Sequence, residues 1–288
     1  MADLITSTYA QQAVPALAAV NSSTLASCLS AASGMIRRYC RRNFIPTRYI
    51  ELHDATGELF LMLRQAPVLG INSLTLFPDT SNPIVMTADQ LDIRPQVGRI
   101  SIKPEVAAGF SGFPWIGGGL LGTRGMGFSV WPLNAIQVDY NAGYGFITQS
   151  SAPIAAGNST VTPAAMTGQT PADDLSPWAI APGTILTLDA GNAGAESATV
   201  LTASPTAFTA SFANAHGAGC QILGWQIPDD LQLACALLVG NMINQPDLTK
   251  LRESMGKTVG YEYVVRNGDL LFTPEILNLL SRYRDIVV

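Results

Sequence analysis

The chain has 288 residues, room for one large domain or two ordinary ones, and 48% of them are apolar. Only 13% are charged, about half the usual share, and the net charge of −5 argues against a general nucleic-acid binder. Surfaces this poor in charge are expected to be covered in use, which favours assembly over a free monomer.

The cysteines Cys28, Cys40, Cys220 and Cys235 are scattered, without a Cys-x-x-Cys pair. That pattern predicts reduced thiols in a cytosolic compartment rather than a disulfide framework. The start, MADLITSTYAQQ, lacks a basic segment followed by an apolar run, so no signal peptide is expected.

Residues 4 to 36 carry no charged side chain. Pro15 is expected to open a short helical turn, and Asn21, Ser22 or Ser23 to cap a longer helix over 22–42. Its stripe is Leu25, Cys28, Leu29, Ala32, Met35 or Ile36, and Tyr39, ending in Arg37, Arg38, Arg41 and Arg42. These arginines either offset the negative helix end and grip its carbonyls, or contact a phosphate or carboxylate on DNA or a partner subunit.

From Thr47 the period changes to two. Arg48 to His53 and Glu58 to Leu63 read as strands around the turn Asp54–Gly57, a hairpin signal. Further strands are expected at Ile71 to Phe77, in a hairpin of Leu91 to Arg94 with Arg99 to Lys103, and at Ala135 to Tyr140. Between them, residues 109–127 hold eight glycines. The run GGGLLGTRGMG looks like a phosphate-cradling loop but lacks its Gly-Lys-Ser/Thr ending. A long loop that meets a neighbour through Phe113, Trp115 and Arg124 is the better expectation.

Residues 151–225 contain four acids (Asp173, Asp174, Asp189, Glu196) and no Lys or Arg. Short strands at 184–188, 197–201 and 207–212 suggest a small β module inserted into the rest. The segment Ile227 to Gln245, IPDDLQLACALLVGNMINQ, then reads as a core helix. Pro228 fits a first turn, Asp229 and Asp230 complement the positive helix start, and Leu231, Ala234, Cys235, Leu238, Val239 and Met242 form the stripe. Its apolar part is too short for the roughly 20 residues a membrane span needs. Thr273 and Pro274 open a last helix with Ile276, Leu277, Leu279, Leu280 and Tyr283 on its apolar face.

Catalytic patterns are missing. His53 and His216 are the only histidines, and no HExxH, GxSxG or Cys/His ligand spacing accompanies them. His53 and Asp54 point to opposite faces of a strand, which is poor geometry for a dyad. No enzymatic role, cofactor or metal is expected.

Three landmarks in order, SAASGMIRRYCRRNF, VDYNAGYG with IPDDLQLACALLVGNMI, and RESMGKTVGYEY with TPEILNLLSRYR, resemble the head–tail connector (adaptor, or head-completion) proteins of tailed bacteriophages. In that family the two halves of the second landmark are contiguous; here residues 146–226 separate them. The resemblance covers residues 20–75, 133–145 and 227–286. It implies an α+β fold: a helical connector core (1–150 with 226–288), a β-rich segment, and an inserted all-β module at 151–225. It implies a ring, commonly of twelve copies, between the portal and a tail or neck protein at the virion neck, assembled in the host cytoplasm. Genomic DNA passes through without sequence-specific binding, and no membrane is involved. By the same analogy the portal contact falls around Leu270, Leu271, Phe272, Tyr283, Arg284, Val287 and Val288. The alternative is a tail or baseplate protein whose β module recognises a host-surface ligand such as a glycan.

Overall fold

The computed structural model describes residues 3–54, 60–103, 106, 135–170, 177–244 and 271–284. The chain divides into two compact units, Met1–Phe44 with Ile227–Val288, and Ile45–Gln226.

The first unit is helical. Thr6 caps α1 (Ser7–Ala13) by accepting the Tyr9 N–H, and a 3-10 turn follows at Pro15–Ala19. Asn21 caps α2 (Ser22–Cys40) by accepting the Ser23 N–H at 2.9 Å. Leu25, Leu29, Ala32, Ile36 and Cys40, three and four residues apart, form its buried stripe. α3 (Asp229–Asn244) buries Leu231, Ala234, Cys235, Leu238 and Val239 and packs against α1, α2 and α4 (Pro274–Ser281). Each fully buried Leu or Ile contributes about 2 kcal/mol relative to exposure. Small groups bring α2 and α3 close: Ser33 Oγ accepts the Leu4 N–H at 3.0 Å and lies 3.8 Å from Cys235 Sγ. Among the described residues no helix is long and apolar enough to cross a membrane.

The second unit is all β among its described strands. β1 (Thr47–His53), β3 (Val68–Leu76), β4 (Ile84–Met86) and β7 (Ile136–Ala142) form one sheet in the order β1-β7-β3-β4. β2 (Leu61–Met62), β5 (Leu91–Arg94) and β6 (Arg99–Ile102) form a second, and both sheets share one core around Leu74, Met86, Ile100, Val138 and Tyr140. β7 is buried on both faces over most of its length, which is why it takes a central place between two partners.

The remaining strands are β8 (Gly145–Gln149), β9 (Gly157–Val161), β10 (Thr167–Gln169), β11 (Pro177–Ala179), β12 (Ile185–Leu188), β13 (Glu196–Ala203), β14 (Phe208–Phe212) and β15 (Gln221–Trp225). Six of them pair in the antiparallel order β8-β15-β12-β13-β14-β9. The chain just after β8 closes on the chain just after β9, through a Ser150–Pro163 bridge and the hydrogen bonds Ser151 N–H to Thr162 O (2.8 Å) and Ala164 N–H to Gln149 O (2.7 Å). The result is a small barrel closed by these few contacts beyond the end strands β8 and β9, and filled by Phe146, Leu186, Leu188, Val200, Phe208, Phe212 and Ile222. Phe146 stacks on Trp178 with centroids 4.1 Å apart, and Gly224 leaves room for the Phe146 ring.

The expected fold class, an α+β protein built on a helical connector core, is overturned. Among the described residues, fifteen strands in four sheets outweigh four α-helices, and the protein is mostly β-sheet. The apolar helical stripes gave a strong local signal, but the period-two segments occupy more of the chain. The hairpin expected around Asp54–Gly57 is also corrected. β1 pairs with β7 and β2 with β6, because β7, buried on both faces, draws β1 to its open side. The hairpin of β5 with β6 is present as expected.

Candidate functional site

Three polar clusters organise the β unit. In the first, Glu51 and His53 stand two apart on one face of β1, so both side chains point the same way. Glu51 Oε2 lies 2.9 Å from His53 Nε2 and accepts the Arg64 N–H at 3.2 Å, while Oε1 accepts the Tyr140 hydroxyl at 2.6 Å. Burial pushes the Glu51 carboxyl up, but the hydrogen bonds from His53, Tyr140 and Arg64 outweigh it and hold the group below its ordinary value. Burial, with the Glu51 charge behind it, pushes the Tyr140 phenol far up.

The second cluster is a guanidinium–carboxylate fork. Arg48 donates Nε to Asp139 Oδ1 at 2.8 Å and Nη2 to Oδ2 at 2.5 Å, and its Nη1 donates to Asn192 Oδ1 at 3.2 Å. Asn72 Nδ2 donates to Asp139 Oδ1 at 2.8 Å, and Gln221 Nε2 donates to Asn72 Oδ1 at 3.1 Å. Arg48 and Asn72 lie on the four-stranded sheet, Gln221 on a barrel strand and Asn192 on the β12–β13 turn. The fork therefore fastens the sheet to the barrel.

The third cluster closes one end of the barrel. His216 Nδ1 lies 2.7 Å from Asp189 Oδ2, and its Nε2 lies 2.7 Å from Glu196 Oε1. Glu196 also accepts the N–H groups of Ala213 and Asn214. The imidazole side chain is 1% exposed. Its burial works against the charged ring, but hydrogen bonds to Asp189 and Glu196 prevail and raise the pKa above its ordinary value.

None of these clusters sets a nucleophile against a base. Ser150 Oγ donates to Cys220 Sγ at 3.2 Å, and burial pushes that thiol up, away from the reactive thiolate. Among the described residues no group of three His, Cys, Asp or Glu side chains is placed to hold a metal. The arrangement is suited to fixing strands and turns in place.

The residues expected to make contacts fall in the helical unit. Arg37 and Arg42 are half-buried at the end of α2, and Arg38 and Arg41 are exposed. Arg41 ends the helix at φ 56°, a left-handed conformation that costs a non-glycine residue about 1 kcal/mol. Leu271 is buried, and Phe272 stacks on Tyr39 with centroids 5.3 Å apart. Tyr283 is buried, meets Phe44 edge-on and donates its hydroxyl to Asp230 Oδ1 at 2.5 Å. Arg284 is exposed, with its guanidinium 5.4 Å from the centre of the Tyr39 ring. The structure thus brings the end of α2 and the chain after α4 together around Tyr39. Phe113, Trp115, Arg124, Leu270, Val287 and Val288 lie outside the described residues, as does the pair Asp173–Asp174.

Sequence reasoning passed over Glu51, Asp139, Asp189 and Glu196 as members of clusters. The Glu51–His53 pair was findable, since Glu-x-His in a strand places both groups on one face. The partners of His216 lie 27 and 20 residues away and leave no local signal. No protein-family model matches the chain, and no curated protein matches it in sequence.

Proposed function

We propose that the chain is a structural adaptor of the head–tail junction of a tailed phage, assembling with identical copies into a ring between the portal and a tail or neck protein. The observation that carries this reading is the packing of the landmark segments. The helices of SAASGMIRRYCRRNF, IPDDLQLACALLVGNMI and TPEILNLLSRYR, far apart in the chain, fold onto one another in one unit, with α3 touching both α2 and α4. The three helical landmark segments thus share one unit, while VDYNAGYG lies in the β unit and RESMGKTVGYEY outside the described residues.

Exposed aliphatic surface on the β unit supports assembly. β1 is an end strand of its sheet, and Ile50 and Leu52 on its outer face are 60% and 43% exposed. Burying such side chains between copies gives the apolar contact that a closed cyclic ring needs. The genome passes through the ring, and a chain of net charge −5 limits how strongly it holds DNA.

The test is co-expression of the chain with the portal protein of the same phage, followed by native mass measurement. The reading expects a portal-bound ring of several copies. Soluble monomer with no portal association contradicts it.

A further inference from the structure

We propose that the four-stranded sheet continues from one copy of this chain into the next, with β1 of one copy pairing antiparallel with β4 of its neighbour. The two are the end strands of the order β1-β7-β3-β4, and among the described residues no strand pairs with the outer edge of either. β1 runs antiparallel to β7, β7 to β3 and β3 to β4, so β1 and β4 point in opposite directions. A second copy placed beside the first in the same orientation therefore meets β1 with an antiparallel β4.

The register supplies the side chains for that contact. Directly paired residues point to the same face of a sheet. Leu52 pairs with Gln137, Gln137 with Thr75, and Thr75 with Val85, one row across the outer face. Its middle is polar and its two ends are apolar. Leu52 is 43% exposed, Val85 59%, and Ile50, two residues along β1 on the same face, 60%. These are three of the seven large apolar side chains exposed among the described residues. Within one copy the row spans three strand spacings, about 14 Å, so Leu52 and Val85 cannot touch. Continuing the row into a second copy sets Val85 opposite Leu52, with Ile50 on the diagonal.

β1 lacks the lysine, proline or bulge that often guards an end strand. It keeps an unbroken register with β7 over all seven residues. The one cation on its outer face, Arg48, is held by Asp139 and Asn192. β4 is short, so the pairing is confined to Ile84–Met86 against Glu51 to His53 of the neighbour. Because it joins two different edges, the contact is head-to-tail and repeats from copy to copy, as a cyclic ring requires. It rests on the connector reading only for the closure of the copies into a ring.

The test is disulfide trapping in the full chain, free and co-expressed with the portal protein of the same phage. Cys28, the one half-buried native thiol, is removed as C28S; the other three are buried. Opposed residues of an antiparallel pair have Cα atoms about 4.5–5.5 Å apart, within disulfide reach. Mild oxidation of C28S/L52C/V85C is expected to give a ladder of cross-linked multimers. C28S/L52C and C28S/V85C are each expected to stay uncross-linked alone and to give a dimer when mixed. C28S/L52C/T75C, with Thr75 away from the edge, is expected to give at least about ten-fold less product, whereas face-to-face docking would link it. If the double exchange unfolds the protein, the mixture of the two single variants carries the test. Folded variants that stay uncross-linked in both preparations overturn the proposal. So does cross-linking of C28S/L52C to itself, which would join like edges. A portal-bound ring without the cross-link sinks the edge contact alone, and the cross-link without portal association sinks the connector reading alone.

Discussion

Nε2 of His216 lies 2.7 Å from Oε1 of Glu196, and the ring's other nitrogen lies equally close to Asp189. A neutral imidazole has one N–H and cannot donate to two carboxylates, so with Asp189 and Glu196 both ionised this geometry favours the imidazolium. Burial opposes that charge, but the two carboxylates override it and the pKa rises from 6.5.

Because the folded value is raised, the stabilisation is complete below about pH 6.5 and is lost as pH rises through the folded value. His216→Gln leaves two carboxylates without their cation and is expected to cost about 3 kcal/mol at about pH 6. Denaturant unfolding of both proteins across pH should show the gap closing at alkaline pH. A gap that stays constant would mean the ring is not charged.

Tyr140 and Glu51 make the second prediction. Tyr140→Phe removes the donor to Glu51 Oε1 and the acceptor of the Gln65 N–H, and is expected to cost about 2 kcal/mol. The Glu51 carboxyl is held below its ordinary value, so its contribution is present above about pH 4.3 and is lost as pH falls through the folded value. Glu51→Gln should therefore blunt the acid limb of the stability profile. Identical acid limbs in the two proteins would remove Glu51 from the account.

Gly224 gives a packing prediction. A Cβ there would sit 1.9 Å from a ring carbon of Phe146, which is itself stacked on Trp178. Gly224→Ala must displace that stack and is expected to cost about 2 kcal/mol or more. Tryptophan fluorescence and thermal melting check it together: the emission should shift and the midpoint should fall. An unchanged melting temperature contradicts the packing described.

The helices were the most legible part of the fold. Asn21 and Thr273 announce helix starts, Pro274 occupies a first turn, and the stripes of α2 and α3 are continuous, so local chemistry alone places them. The barrel was less legible. Three of its inner strands show alternation, but β8, β9 and β15 gain their identity only from closure across distant segments, which no local period encodes. The weight of sheet over helix was misread for that reason. Of the candidate contacts, the arginines at the end of α2 stood out as charge in an uncharged stretch. That Arg284 stands over Tyr39 at the same helix end needed the tertiary fold.

The assembly claim is tested most directly at the particle itself. Mass spectrometry of purified phage particles, with imaging of their head–tail junction at residue-level detail, reads both presence and copy number. The account predicts a ring of identical copies at the portal, with α2, α3 and α4 packed as one body in each. Intact particles that lack the chain, or that carry it as single copies away from the portal, contradict it.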